Sequence, residues 1–445
     1  MVTRRKRRSV AVPEQPSGSL AIQIPPEKAE PASMGNVLMM VVPMLGSTGV
    51  MVFMALQNNG NSRSMLMGGG MLVAMLGMVG FNMYRQFSQY RTRVVTQRRE
   101  YLSYLAETRE SVRKVAKKQR AYYNWVYPDP DALVTLAANG SRLWSREGGT
   151  YDLFAFRYGS GTQPLGLIFE RPPIDPMTEM DVVCLSAMER FIDVHDHTDN
   201  VGKFLYLGDY SHIEVAGEGE AVYDEMRAIM MHLACFIDPS KLKIAVLCSA
   251  DRLGEWEWVK WMPQARSSTV RDAVGPGRMI STDPAELAEM IGTDIAMRGA
   301  FQFGDEIPAY PHLLLVCDGA EFPPSSPFGS LAGVKGVTIM SRAREWTPMK
   351  SHTTLRLLIH PNPDRKGADV VDVVTMDTMP EQAFADRLTA VQAEAIARRM
   401  TPFATQQNLE EADTPVGRSD ESRQKDLMEL VGIGDIRDFD PEKQW

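Results

Sequence analysis

The chain has 445 residues, of which 44% are hydrophobic, and its formal net charge is −8 at pH 7. This length allows one large globular domain, or two, beside any membrane segment. The charge is uneven: the first 84 residues sum to about +4 and residues 85–120 to about +8, which leaves about −20 for the rest. So acidic a remainder argues against a nucleic-acid-binding surface there.

Candidate metal ligands are sparse in the sequence. The four cysteines (Cys184, Cys235, Cys248 and Cys317) have no disulfide or ligand spacing, and we interpret them as reduced thiols in a core. His195 and His197 lie beside aspartates and have the residue types that bind metals. Their segment is polar and no second cluster accompanies it, so we interpret it as a solvated face and predict no metal site.

Two apolar runs dominate the first part of the chain. Residues 35–57 and 65–84 carry no charged residue, and each has about the twenty residues that a helix needs to cross a bilayer. Only seven polar or small residues separate them, so we predict a two-helix membrane hairpin over residues 35–84. Two buried helices of a soluble core are the alternative, but such helices are rarely free of charge over this length.

Basic residues on both sides of the hairpin predict its orientation. Five precede it and five arginines follow it: Arg4, Arg5, Lys6, Arg7 and Arg8, then Arg85, Arg91, Arg93, Arg98 and Arg99. Lys and Arg are in excess on cytoplasmic flanks, so both termini should be cytoplasmic and the turn should face outward. A cleaved signal peptide does not fit, because the first run begins late and a second follows at once.

The segments around the hairpin have distinct compositions. Residues 1–33 are rich in proline and predict a disordered cytoplasmic tail. Residues 85–127 contain no glycine or proline and predict a stalk helix, which at 1.5 Å per residue would extend on the order of 60 Å from the bilayer. Its apolar residues recur at a seven-residue spacing, which predicts a coiled-coil-like seam or a stalk that lies on a neighbouring subunit. Residues 401–445 are polar and predict a linker.

Residues 130–400 alternate short apolar strands with helices, which predicts an α/β domain with a mostly parallel sheet. Runs such as 242–248 and 312–317 are apolar on successive residues, as in strands covered on both faces. Strands are also predicted at 204–207, 213–216, 336–340, 354–359 and 370–374. The predicted helices cover residues 177–194, 221–236, 256–262, 284–298 and 381–400.

One loop has the position of a phosphate-binding loop but not its chemistry. Gly217, Glu218 and Gly219 follow a predicted strand and precede a predicted helix. A phosphate loop needs Gly-Lys-Ser/Thr, whereas this loop offers glutamates, so we predict no ATP hydrolysis here. Asp318 ends a second strand, as magnesium-binding carboxylates of ATPases do, but without a lysine we interpret it as a turn cap.

Several separated motifs resemble those of one family. The stalk ends in a Tyr-x-Trp-x-x-Pro element, a Leu-Trp-x-Arg segment follows, and a Trp-Glu-Trp-Val-Lys-Trp-Met-Pro motif is the most specific. Ala395, Arg398 and Arg399 resemble the end of the family's first cytoplasmic domain. The family is EccC, the FtsK/SpoIIIE-type membrane ATPase of type VII (ESX) secretion. The residues carrying the first three motifs are Tyr123, Trp125, Pro128, Leu143, Trp144, Arg146, Trp256, Trp258, Lys260, Trp261 and Pro263.

The resemblance implies a bacterial inner-membrane protein with a degenerate P-loop NTPase-like domain over residues 130–400. Its ATP- and Mg²⁺-dependent domains would lie downstream or on a separate chain, and this chain would need no cofactor. The expected partners are EccB-, EccD- and EccE-type subunits, further EccC copies, the lipid bilayer and, through the downstream domains, WXG100-class substrates. A membrane anchor for an FtsK/SpoIIIE-like DNA translocase is the alternative function, and an independent nucleotide hydrolase is a third.

Overall fold

The computed structural model describes the larger part of the chain. The described residues are 3–4, 12–29, 39, 42–43, 46–47, 49–50, 53–54, 57, 62–146, 153–272, 275–304, 310–343, 348–349, 351–365 and 367–404. The chain divides into two compact units. The sheet unit comprises Met1–Val10, Asp129–Gly159 and Phe204–Trp445, and the stalk unit comprises Ala11–Pro128 and Ser160–Lys203.

The described strands are short, as expected for a sheet of many strands. In chain order they are β1 (Thr3–Arg4), β2 (Gly18–Ala21), β3 (Ala155–Pro164), β4 (Leu167–Glu170), β5 (His197–Tyr206), β6 (His212–Gly217), β7 (Leu242–Cys248), β8 (Arg266–Asp272), β9 (Gly275–Arg278), β10 (Ile280–Ser281), β11 (His312–Asp318), β12 (Val337–Ala343), β13 (Thr354–Pro361), β14 (Asp369–Val374), β15 (Glu381–Ala385) and β16 (Phe403–Ala404).

The described α-helices range from one turn to many. They are α1 (Ser62–Val126), α2 (Pro130–Asn139), α3 (Val182–His195), α4 (Ala221–Phe236), α5 (Leu253–Trp256), α6 (Pro284–Ile291), α7 (Thr293–Ala296) and α8 (Ala390–Met400). Short 3₁₀ turns cover Leu207–Asp209, Glu257–Trp261, Pro263–Ala265 and Pro327–Gly329. Local sequence explains several ends: Asp129 caps α2 ahead of Pro130, and Thr389 with Gln392 forms a capping box on α8.

One sheet of ten strands forms the centre of the fold, in the order β10-β7-β11-β12-β6-β13-β14-β15-β3-β5. The six strands from β10 to β13 are parallel to their neighbours, and β13, β14 and β15 pair in antiparallel fashion. A mixed α/β architecture with a large, mostly parallel sheet is therefore confirmed. The apolar run of β11 is buried at every residue, in agreement with a strand covered on both faces.

Helices cover both faces of the parallel strands in the sheet unit. Along β7, Ile244 and Val246 pack into the cluster that contains α2, α4 and α8. The intervening Ala245 and Leu247 pack into a second cluster with α6 and α7. Side chains of a strand alternate between its two faces, so one continuous run of apolar residues supplies both clusters.

The stalk helix is packed against its own chain. Tyr101, Leu105 and Val112 are buried in a cluster with Ile22, Leu165 and four residues of α3 (Cys184, Met188, Phe191 and Ile192). Arg98 is bonded to Asp181, the N-cap of α3, with Nη2 2.8 Å from the carboxylate. The predicted contact with a neighbouring subunit is wrong for Tyr101, Leu105 and Val112, because the chain itself supplies the apolar surface that these residues require.

A buried glutamine fixes the stalk helix to the connection between β3 and β4. Gln119 donates from Nε2 to the Pro164 carbonyl oxygen at 2.7 Å and accepts at Oε1 from the Gly166 N–H at 2.8 Å. Gly166 itself leaves no space for a side chain, since a Cβ there would lie 2.2 Å from the Pro16 carbonyl oxygen. The amide thus satisfies two backbone groups that burial removes from water.

The predicted disordered tail over residues 1–33 is wrong for residues 12–29. Here β2 pairs in parallel with β4, and Ile22 is buried in the stalk unit. The prolines that exclude a helix allow an extended segment. One of its few apolar residues, Ile22, packs against Tyr101 and Leu105. The predicted domain over 130–400 is also divided differently, because residues 160–203 belong to the stalk unit.

Two further predicted elements differ from the structure. The helix predicted over residues 381–400 is instead strand β15 followed by α8, which begins after the Thr389 cap. The helix predicted over 284–298 is broken at Gly292, which has a φ of 96° that glycine adopts most readily. The first error comes from apolar spacing that fits helix and strand alike over a few residues, and the second from a glycine that interrupts an otherwise helical pattern.

The membrane hairpin stays a prediction. The second apolar run forms the first part of α1, whereas most of the first run lies outside the described residues. Among the helices that the structure describes, none is both long and apolar enough to cross a membrane. The linker predicted over residues 401–445 likewise lies outside the described residues from 405 onward.

Buried charges join α4 to the strands of the antiparallel part of the sheet. Arg157 on β3 binds both oxygens of Asp386 and also reaches Asp129 at 3.3 Å. Glu225 on α4 is fully buried and accepts the Asp386 N–H at 2.8 Å. Burial raises the pKa of the Glu225 carboxyl well above its usual value, and the neighbouring Asp386 carboxylate adds to the rise.

The raised pKa of Glu225 predicts a pH-dependent stability. The protonated carboxyl stabilises the fold fully below the unfolded pKa, about 4.3, and this contribution is lost as the pH rises through the folded pKa. Glu225→Gln, which stays neutral, should therefore melt at a higher temperature than the parent at pH 8, and the difference should shrink toward pH 5. Each kcal/mol recovered would raise Tm by about 2–4 °C.

Glu218→Gln is the matched control, because Glu218 is exposed in the same unit. Its melting curve should follow the parent at every pH. If the difference in melting temperature between Glu225→Gln and the parent is the same from pH 5 to pH 8, Glu225 is not protonated in the folded state.

Candidate functional site

The loop between β6 and α4 is shaped by two glycines. Gly217 has a φ of 149°, and a Cβ there would lie 2.5 Å from the Ile359 carbonyl oxygen on the adjacent strand β13. Gly219 has a φ of 70° and opens onto free space. Glu218 and Glu220 are exposed at the start of the helix. The backbone of the loop depends on its glycines, as in a phosphate-binding loop. The negative charges of its glutamates would, however, repel an anion such as a phosphate from the helix N-terminus.

Asp318 ends β11, two strands away from this loop, because β12 lies between β11 and β6. Its carboxyl is fully buried, and Oδ2 accepts from Trp256 Nε1 at 3.0 Å and from the Tyr223 hydroxyl at 3.1 Å. Oδ1 has no hydrogen-bond partner among the described residues. The interpretation of Asp318 as a turn cap is wrong, since its side chain binds donors from two other elements.

Arginines contact Tyr223, close to Asp318 at the end of β11. Its hydroxyl accepts from Arg252 Nη1 at 3.2 Å, and the guanidinium of Arg342 lies 4.9 Å from the ring centroid. Burial raises the pKa of the Tyr223 hydroxyl, and the Asp318 carboxylate acts in the same direction. The phenol therefore stays protonated and remains a donor to Asp318.

A buried arginine gathers the carboxylates around the loop. Arg227 on α4 is fully buried and binds Glu220 at 2.6 Å, Asp224 at 3.2 Å and Glu255 at 3.0 Å. Burial raises the pKa of the Asp224 carboxyl, and Arg227 opposes that rise. Arg227 thus joins the loop at Glu220, the helix α4 at Asp224 and the residue before Trp256.

The Trp-rich motif forms a compact turn rather than the predicted helix. We call residues 256–263 the signature segment; α5 ends at its first residue, and a 3₁₀ turn covers Glu257–Trp261. Trp256 and Trp258 are buried, and Trp258 Nε1 donates to the Glu255 carbonyl oxygen at 2.9 Å. Pro263 is buried at the start of the next 3₁₀ turn. The motif is therefore largely a packing element.

The far end of the signature segment contacts α8. The guanidinium of Arg398 lies 4.4 Å from the centroid of the Trp261 ring, and Lys260 Nζ lies 5.8 Å from a Trp261 ring centroid. The Trp261 carbonyl oxygen accepts from the Thr401 hydroxyl at 2.6 Å. Lys260 also forms an exposed pair with Glu257, which lowers the pKa of that carboxyl through a hydrogen bond.

The structure brings only part of the predicted site together. Asp318 and Trp256 are in contact, whereas the loop residues Gly217, Glu218 and Gly219 lie beyond an intervening strand. Lys260 pairs with Glu257 and lies beside the Trp261 ring. Tyr223 and Arg227 were not predicted as site residues. One signal for Arg227 was available: Glu220, Asp224 and Arg227 are spaced three and four apart, which places them on one face of a helix.

Sequence comparison relates the chain to secretion proteins over its whole length. It is 31% identical over 453 residues to the ESX secretion system protein EccC of Thermomonospora curvata, covering all of this chain and 33% of that protein. It is 29% identical to the ESX-3 protein EccC3 of Mycobacterium tuberculosis, over 75% of this chain and 25% of the relative. The ESX-4 protein EccC4 of the same organism is 26% identical over 96% of this chain and 31% of its own length.

Structural comparison gives weaker similarity. The cytoplasmic domain of the type VII secretion ATPase EccC from Thermomonospora curvata aligns with 43% of this chain and 25% of its own, at 14% identity and a TM-score of 0.29. ATPases 2 and 3 of that protein with a signal sequence peptide align with 58% of this chain and 48% of their own, at 12% identity and a TM-score of 0.32. Scores of this size do not establish a common fold.

No protein-family model matches the chain. The chain spans a quarter to a third of the length of these three relatives. The similarity nevertheless extends over all or nearly all of this chain in two of those relatives, and all of them carry the name EccC. The chain is therefore a relative of the EccC proteins of ESX secretion systems, which confirms the resemblance that its motifs indicated.

Proposed function

We propose that this chain is the membrane-anchoring and coupling part of a type VII secretion motor. In this role it positions ATPase domains at the export complex of the inner membrane and does not hydrolyse ATP itself. Its relationship to ESX secretion proteins supports the role in secretion. The observation that carries the proposal lies at the ends of β6 and β11. There the Asp318 carboxylate and the Arg227 guanidinium, which could bind Mg²⁺ or phosphate, are bound by side chains of the chain itself.

The chemistry of these two groups favours coupling over hydrolysis. An ATPase site needs a lysine for the phosphates and a carboxylate that is free to hold Mg²⁺. Here the loop has no lysine, and the carboxylate of Asp318 is already bound by Trp256 and Tyr223. Arg227 is engaged by three carboxylates rather than left for a phosphate. ATP and Mg²⁺ would be used by domains outside this chain.

The character of the first helix supports the anchor. In the run over residues 65–84 the described apolar side chains of Val73, Leu76, Met78 and Phe81 are 55–70% exposed. Exposed apolar area of this kind costs free energy in water and none in hydrocarbon. Twenty helical residues at 1.5 Å each span the roughly 30 Å core of a bilayer. A two-pass hairpin with cytoplasmic termini follows from the basic flanks.

The proposed partners are the other membrane subunits of an ESX complex, of the EccB, EccD and EccE types, together with further copies of this protein. Substrates of the WXG100 class would be recognised by the additional domains. A DNA translocase anchor fits less well, because the part of the chain after residue 120 carries a strong negative charge. An enzyme that hydrolyses nucleotides on its own is disfavoured by the occupied Asp318.

The absence of hydrolysis can be tested on the purified full chain in detergent. Titration with a fluorescent ATP analogue and Mg²⁺ should give no saturation in the micromolar range, and phosphate release should equal the rate without protein. Asp318→Asn is the matched control, because it removes the carboxylate but keeps its size. Micromolar binding with turnover that is lost in Asp318→Asn would contradict the proposal.

The anchor can be tested by cysteine labelling in intact bacterial cells. The native cysteines are buried, so a new cysteine should report its own exposure. A membrane-impermeant maleimide should label Gly60→Cys, in the turn between the apolar runs, and should label Ser88→Cys only after lysis. Equal labelling of the two variants in intact cells would exclude the hairpin.

Partner recovery distinguishes secretion from DNA translocation. The tagged full chain, purified from membranes in mild detergent, should recover the ESX membrane subunits in fixed proportion, and nuclease treatment should not change that recovery. Recovery of DNA-segregation proteins in place of ESX subunits would favour the alternative function.

A further inference from the structure

We propose that the signature segment is a mechanical latch that couples the Asp318 carboxylate to helix α8. The inference deepens the coupling role proposed above and rests on it. Its basis is that one short segment makes a buried hydrogen bond at its first residue and holds the last described helix at its sixth. The two contacts belong to different residues of one six-residue stretch, Trp256 to Trp261, so both depend on its conformation.

The first end of the latch is the bond between Trp256 and Asp318. The indole is fully buried, and its Nε1 lies 3.0 Å from Asp318 Oδ2. A hydrogen bond to a buried carboxylate is stronger than a neutral one, and a carboxylate that loses it must find another donor. Asp318 Oδ1 has no partner among the described residues, so the carboxylate can accept from a further group.

The middle of the latch is stiff. Trp258 Nε1 is bonded to the Glu255 carbonyl oxygen, and the Met262 N–H is bonded to the Val259 carbonyl oxygen at 2.9 Å. Glu255, directly before Trp256, is also tied to the buried Arg227 at 3.0 Å. A turn closed by bonds at both ends moves as one body, so a displacement of Trp256 is transmitted to Trp261.

The second end of the latch holds α8 at its C-terminus. The Thr401 hydroxyl donates to the Trp261 carbonyl oxygen at 2.6 Å, and the Arg398 guanidinium stacks on the Trp261 ring. On its inner face α8 is buried through Ile396 and Met400. The chain continues from this helix into residues 401–404 and beyond, so the latch acts on the point where the described part of the sheet unit ends.

The arrangement has two states in this proposal. In the closed state, which the structure shows, the indole occupies Asp318 and the segment holds α8. In the open state a competing hydrogen-bond donor occupies Asp318, the indole is released, and α8 loses its contacts with Trp261. Coupling between two sites is reciprocal, so a change imposed on α8 should also loosen the bond at Asp318.

Hydrogen exchange measured by mass spectrometry on the full chain tests the latch. Trp256→Phe keeps a buried aromatic ring but removes the Nε1–H donor together with the five-membered part of the indole. It should raise amide exchange in residues 390–400 by about fivefold, which corresponds to the loss of one net hydrogen bond. Tyr223→Phe is the matched control, because it removes the other donor to the same oxygen and keeps the aromatic ring that packs against Trp256. It should leave exchange in α8 unchanged.

The reverse direction provides a second test that does not depend on a buried substitution. Arg398→Met, on the partly exposed face of α8, should raise exchange in residues 253–262. Unchanged exchange in α8 for Trp256→Phe, or an equal rise for Tyr223→Phe, would overturn the latch, since the coupling would then be absent or would run through the core. These outcomes are independent of ATP binding and partner recovery, so they can fail while the proposed function holds.

Discussion

A carboxylate enclosed at the end of a parallel strand must be given donors, and the way Asp318 obtains them governs the sheet unit. Burying an ionised group without partners costs several kcal/mol, so the fold has to bring Trp256 and Tyr223 to it from two separate elements. That requirement fixes the position of the signature segment over the end of β11. It also fixes the start of α4, and with it the loop that carries Gly217 and Gly219.

The buried Arg227 extends the same constraint to the neighbouring carboxylates. Its guanidinium pairs with Glu220, Asp224 and Glu255 at once, which offsets part of the negative charge around the loop. A nucleotide-binding corner would keep its charges exposed and unpaired until the ligand arrives. Here they are paired within the chain, and the glycine-shaped loop is retained without its phosphate chemistry.

Sequence patterns predicted the parallel sheet well. A strand that is covered on both faces, such as β11, must be apolar on successive residues, and that pattern is visible in the sequence. The patterns predicted the positions of the loop and of Asp318 but not their surroundings. The bond between Trp256 and Asp318 joins residues 62 positions apart, and no local pattern encodes it. The stripe on the stalk helix was visible in the sequence, but its partner was not, since Ile22 and Phe191 come from distant segments. Whether residues 381–385 form helix or strand was decided by pairing with β14.

The two hydrogen bonds of the Gln119 side chain limit how the stalk helix can transmit force. Two opposed hydrogen bonds from one amide fix the axial position of the helix at that residue, because sliding by even one turn would break both. The helix is therefore held against sliding along its axis at that residue. The packing of Tyr101 and Val112 against α3 and the bond between Arg98 and Asp181 hold it at further points. A push delivered near its apolar beginning would thus reach residues 160–203 through several contacts at once.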